Sequence, residues 1–137
     1  MLERPDDLTR LQAAIDRSYD RAGGHLLEVH APERRLDAAG LSERLTGMRL
    51  LTLATSTRDG RPITGPVDGI FYRGRFHFGS SPESLRFRHI RERPHVSATH
   101  LPGEELAVTV HGTADVIDLT SDEHGEFRQV LIDIYLP

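Results

Sequence analysis

Apolar side chains recur along this chain at two different periods. Leu8, Leu11, Ile15 and Tyr19 return every three or four positions among Asp, Arg and Gln, which predicts an amphipathic helix over Pro5–Arg21. Pro5-Asp6-Asp7 supplies its start and Gly23-Gly24 its stop. Residues 25–38, with Pro32 and the Glu33-Arg34-Arg35 run, read as a surface connection, and a short helix is expected over Ala39–Thr46 with Leu41 and Leu45 inward. Residues 1–44 thus form a helical N-terminal extension to a domain over 45–137.

In that domain the period changes to two. Arg49–Ser56 is compatible with a strand and ends at Arg58-Asp59-Gly60, a hairpin signal. A second strand is expected over Ile63–Tyr72, bent near Gly65-Pro66 and Gly69. After a tight Arg73-Gly74 turn, Arg75–Phe78 is a third. Ser80-Ser81-Pro82-Glu83 carries helix-start signals, with Ser80 as cap, proline in the first turn and glutamate three positions after the cap. That helix ends before Pro94. His95–Leu101 and Glu105–Asp118 are expected strands, and Ser121–Ile134 returns to helical spacing through Phe127, Val130, Leu131 and Ile134. The expectation is a mainly β fold with flanking helices: a five-stranded antiparallel meander with one inserted helix, of the kind that closes into a small barrel to hide its edges.

Composition narrows the function classes. A chain of 137 residues suffices for one domain with a real core. Cysteine is absent, which removes disulfides, thiolate metal sites and a cysteine nucleophile, and fits a cytoplasmic protein. No apolar run reaches the ~20 residues of a membrane span, and the N-terminus lacks a signal-peptide pattern. Every one of the 17 basic residues is arginine, most simply a mark of GC-rich coding. The net charge of −4 argues against general nucleic-acid binding. Yet Arg58–Arg93 holds eight arginines against four acids, a +4 segment in a chain otherwise −8. Such a local field suits a compact anion, although a solvated helix face is the plainer alternative.

Within that segment, Phe78–Arg86 delivers hydroxyls and backbone N–H groups to a helix start, a ready anion site. Ser84 and Arg86 follow in its first turns, where a guanidinium fork suits phosphate. Read alone, these residues allow either a phosphate site or simple helix caps. The eight histidines form no His-x-x-x-His or His-Glu-x-x-His pattern, so no metal site is expected. Ser56 with His77 or His111 lacks the nucleophile-elbow context of a hydrolase triad.

Thr55, Gly60-Arg61-Pro62, Phe78, Ser80, Ser84 and Arg86, then His89-Ile90-Arg91-Glu92-Arg93-Pro94-His95-Val96 and Val110–Ala114, stand in an order and spacing similar to those of the pyridoxamine 5'-phosphate oxidase family and its actinobacterial flavin and deazaflavin relatives. The resemblance covers residues 45–120. It implies an FMN-binding split β-barrel with the flavin in a groove between two barrels, hence a homodimer acting on a small-molecule substrate. It also implies an oxidoreductase passing hydride through the flavin, with no catalytic side chain named. Ser80 and Ser84 would meet phosphate or ribityl oxygens, and Arg86 would take the phosphate. Gly65, Pro66, Val67 and Asp68 would run beside the flavin ring. The pyridoxamine oxidases themselves have arginine where Gly65 and Leu85 stand and lysine where Ile70 stands. They usually add a closing strand after the last helix, whereas this sequence ends at Tyr135-Leu136-Pro137, so the expectation is a barrel either open on one edge or closed by another subunit or the N-terminal extension. The resemblance leaves two alternatives: a deazaflavin F(420)-dependent reductase on the same fold, and a non-catalytic flavin- or haem-binding dimer.

Overall fold

A computed structural model describes residues 1–136 and divides them into two compact units, Met1–Gly47 with Ile70–Phe76, and Met48–Gly69 with everything from His77 onward.

In the first unit, α1 (Pro5–Asp20) follows its amphipathic pattern, but Leu8, Leu11, Ile15 and Tyr19 are only half-buried, and the one buried residue is Asp7. The connection contains structure that its polarity hid: α2 (Gly24–Val29) and a 3-10 turn over Pro32–Arg34. Leu26, Leu27 and Val29 of α2 remain exposed, so this helix leaves no apolar stripe in a core for the sequence to reveal. Arg35 lies 3.9 Å over the Tyr19 ring and donates to the His30 carbonyl at 2.6 Å. Asp37 caps α3 (Ala38–Arg44) by accepting from the Gly40 N–H, and Gln12 of α1 accepts from the Ala38 N–H at 2.7 Å. Leu45 is buried as expected, whereas Leu41 is half-buried.

The remaining part of this unit is the hairpin at Arg73-Gly74, with φ of 56° and 81°. Two successive positive φ values match the right-handed strand twist, and glycine takes the second without cost. Arg73 is not glycine, and its side chain is tied down: Nε donates to the Asp7 carboxylate at 2.6 Å. Asp7 also accepts from the Arg4 N–H at 2.9 Å and from Arg10 at 2.6 Å. Glu3 accepts from the Gly74 N–H and from the buried Ser42 hydroxyl. Burial by itself would raise the Asp7 pKa. The Arg4 N–H, the bonds from Arg73 and Arg10, and the charge of Arg73 outweigh it, so the carboxyl sits below the usual aspartate range.

The strands β1 (Met48–Ser56), β2 (Pro62–Tyr72), β3 (Arg75–Phe78), β4 (His95–Gly103) and β5 (Leu106–Thr113) form one five-stranded sheet in the order β3-β2-β1-β4-β5. The β1–β2 turn closes with Gly60 at φ 84°. The sheet departs from a plain meander: α4 (Leu85–Glu92) carries the chain across, and β4 pairs antiparallel with β1, Leu53 opposite Ala98. β4 and β5 then pair from His95↔Thr113 to Gly103↔Leu106 with an irregularity after His100. β5 stops five residues short of expectation. The Ala114 N–H still donates to the Pro94 carbonyl, one step beyond the last paired residues, and past it Asp118 caps a turn at Thr120. A 3-10 turn over Asp122–His124 then leads into α5 (Gly125–Tyr135).

The second unit buries Leu51 and Leu53 of β1, Val67 of β2, Ile90 of α4, Ala98 of β4, Val108 of β5 and Phe127 of α5. Their alternation along the strands puts one sheet face against the helices. Fully burying side chains of this kind is worth about 1.5–3 kcal/mol each before entropy is counted. Among the described residues no helix is long and apolar enough to cross a membrane.

Candidate functional site: an unspent donor relay at the start of α4

The cap of α4 is Ser84, not Ser80. Ser84 is extended, with φ −63° and ψ 152°, and its Oγ accepts from the Phe87 N–H at 3.2 Å. Pro82 lies ahead of the helix, in a turn closed by the Ser84 N–H on the Ser81 carbonyl. Moving the cap four residues along carries Ser80 out of the helix and folds it back: its hydroxyl donates to Ser84 Oγ at 3.2 Å. Arg86, in the first turn, donates from Nη1 to Ser80 Oγ at 3.1 Å and from Nη2 to the Pro66 carbonyl of β2 at a long 3.5 Å.

These bonds form a relay with a direction. The guanidinium donates to Ser80, Ser80 donates to Ser84, and Ser84 accepts a second bond from Phe87. The Ser84 hydroxyl hydrogen is therefore left for an outside acceptor. So are most of the five guanidinium N–H groups and the first N–H groups of the helix. Among the described residues no carboxylate pairs with Arg86. The converging donors are the electrostatic complement of a phosphate.

Other arginines of the +4 segment are engaged elsewhere. Arg61 meets Asp59, Arg93 meets Glu92, and Arg73 meets Asp7. Arg88 and Arg91 line a cleft of 310 Å³ with Pro82, Glu83, Glu92 and the relay's own Ser84, where two acids offset two bases. Arg91 lies 5.7 Å from the Phe87 ring centroid.

Ser80, Ser84, Arg86, Gly65 and Pro66 are thus brought together, and Ser81 turns away to Glu83. Val67 puts its side chain in the core and offers only backbone. Asp68 accepts from the Tyr135 hydroxyl at 3.4 Å. Burial first, then the nearby charge of Asp68 and this bond, raise the Tyr135 phenol.

One support was not visible in the sequence. Thr55 of β1 and His89 of α4, both buried, share a 2.8 Å hydrogen bond between Oγ1 and Nδ1 that fastens the helix to the sheet. The motif aligns both residues, but nothing in their 34-residue separation signals contact. The remaining histidines do other things. His77 packs on Phe127, His111 bonds Ser97 at 2.6 Å, and His100 bonds the Leu50 carbonyl at 2.8 Å. No group of three or more His, Asp or Glu is placed to hold a metal among the described residues.

Comparison with known proteins agrees with this architecture. Residues 39–135 match the family model described as pyridoxamine 5'-phosphate oxidase. No curated protein matches the sequence. Six solved chains do. A haem-binding protein from Mycobacterium smegmatis aligns with TM-score 0.57 and 24% identity over 73% of this chain and 44% of its own. An F(420) reductase aligns with TM-score 0.52 and 22% identity over 69% of this chain and 75% of its own. A protein of unknown function from Agrobacterium tumefaciens gives 0.52 and 22%, over 67% of this chain and 40% of its own. At these identities the likeness is one of fold, and the chain spans under half the length of two of the three.

Proposed function

The chain belongs to the pyridoxamine 5'-phosphate oxidase family, and from that premise we propose that it is an FMN-binding oxidoreductase acting as a homodimer on a small-molecule substrate. The observation that carries the reading is the donor relay Arg86–Ser80–Ser84, which gathers a guanidinium and two hydroxyls at the start of α4. A phosphate monoester fits its chemistry: Arg86 holds the charge, the Ser84 hydroxyl donates, and the helix N–H groups complete the cradle. Gly65–Asp68 supply backbone beside the ring. Bound FMN supplies hydride acceptance and donation at N5. This chain's residues bind and orient it, and no side chain is assigned a proton or a nucleophilic role.

The second copy has a suitable face. Outward positions of β1, β4 and β5 are Leu50, Thr52, Ala54, Ser97, Thr99, Leu101, Ala107, Thr109 and His111, with not one formal charge in a chain that is 28% charged. Leu50 and Leu101 are 59% and 64% exposed. Ser97–His111 and Thr99–Thr109 satisfy one another across strands, so covering the face strands few polar groups. A neutral, self-satisfied sheet face suits an isologous contact.

Titration of the protein with FMN, FAD, F(420) and haem, followed by flavin fluorescence or the haem Soret band, tests the ligand. FMN is expected to bind best. Preference for F(420) would make the chain a deazaflavin reductase, preference for haem would make it a non-catalytic haem binder, and binding of none would end the proposal. Light scattering on Leu101→Arg is expected to show a monomer where the parent is a dimer.

A further inference from the structure

The second strand approaches the relay most closely at Gly65. A Cβ built there would stand 2.8 Å from Arg86 Nη2, closer than real Cβ contacts come, and would meet no other atom within 4 Å. The neighbouring Pro66 carbonyl is what Nη2 donates to, at 3.5 Å and thus at the limit of a hydrogen bond. The guanidinium therefore rests in the space that a side chain at position 65 would fill.

We propose that Gly65 determines phosphate selectivity in this site: the missing side chain admits the Arg86 guanidinium to β2, where it is held between Ser80 and the Pro66 carbonyl and aimed at an incoming phosphate. This rests on the flavin reading above and gives residue 65 a role beyond lending backbone to the ring. Arginine binds phosphate through a rigid fork, so its usefulness depends on orientation as well as charge. Two anchors on one guanidinium fix that orientation before the ligand arrives, and fixed donors lose less entropy on binding. A methyl group at 65 would push Nη2 outward, breaking the longer anchor at once. The atom displaced is the far end of a flexible side chain, so the fold has little to lose.

The test is Gly65→Ala, with FMN and riboflavin affinities measured by fluorescence quenching, since riboflavin lacks only the phosphate. FMN is expected to weaken about tenfold more than riboflavin, the value of one misdirected charge-assisted bond, while the thermal midpoint stays near the parent's. Adding Gly65→Ala to Arg86→Ala should then cost nothing further, because the two act through one contact. An unchanged FMN-to-riboflavin ratio in Gly65→Ala, with that ratio collapsed in Arg86→Ala, would overturn the role of Gly65 and leave the phosphate site standing. Equal weakening of both flavins would mean that residue 65 acts through the ring alone and would overturn it too. If neither variant altered the ratio, the phosphate reading itself would fall. Should Gly65→Ala not fold, recovery of folding in the double variant would support the same contact, and an unfolded double variant would refute it.

Discussion

Two arginines of one basic segment end in opposite circumstances. Arg73 occupies a turn at positive φ, an unfavourable place for a side-chain-bearing residue, and its charge is met at 2.6 Å by a carboxylate with no solvent exposure. Asp7 in turn has three donors, so the cluster is closed. Arg86 sits at a helix start, touches a hydroxyl and a carbonyl, and meets no carboxylate among the described residues. A matched buried charge holds structure together, and one at a converging set of donors suits a ligand. On the function proposed above, the same residue type serves stability in one unit and binding in the other.

The widest split between them should come from Asp7→Ala. Removing the buried carboxylate takes the acceptor from Arg73, Arg10 and the Arg4 N–H at once, and the loss of stability should be the largest of the series. The urea midpoint reports it, while the FMN affinity of the folded fraction should not move. Acid sharpens the point. Because the Asp7 pKa is depressed on folding, its stabilisation is whole above the ordinary aspartate value of about 3.9 and is lost as pH falls from there through the folded value. The gap in stability between the parent and Asp7→Asn should close over that acid window; a gap constant down to about pH 2 would mean the charge is not what matters.

Arg86→Ala is the mirror experiment. FMN should weaken roughly ten- to hundredfold, the worth of a charge-assisted bond to phosphate, with riboflavin spared. Stability should stay within about 0.5 kcal/mol, as for surface changes generally. Loss of stability with retained FMN binding would make Arg86 a second Arg73 and erase the contrast.

A smaller effect is expected beneath the relay. Thr55→Val leaves the buried His89 Nδ1 without its partner, which should cost on the order of 1 kcal/mol of stability. If α4 needs that anchor to present its first turn, FMN will weaken more than riboflavin. Smallest of all should be Arg91→Ala, since that side chain lies against Phe87 in a cleft whose acids balance its bases. Its effect on FMN affinity is expected within about twofold, a screened charge at a distance. Equal sensitivity at Arg86 and Arg91 would reduce the segment to a diffuse field.

The strand over Arg49–Ser56, the Arg73-Gly74 turn, the stripe of α1 and the Ser80–Arg86 run were all legible in the sequence, because each is a local preference written within a few residues. Even there the signal was coarse: with serines at 80, 81 and 84 each able to cap, local pattern placed the cap at Ser80, and the turn through Pro82 put it at Ser84. What no window of sequence contained were the pairings across 66, 39, 34 and 20 positions: Asp7 with Arg73, Glu3 with Ser42, Thr55 with His89, Pro66 with Arg86. A buried aspartate inside an otherwise half-exposed helix reads as a polar surface residue until its partners arrive from a distant hairpin. A glycine in a strand reads as a weak point until the guanidinium that fills its space is seen. Local preference decides which residues become strand, turn or helix, and long-range packing decides which charges are answered within the fold and by which partners.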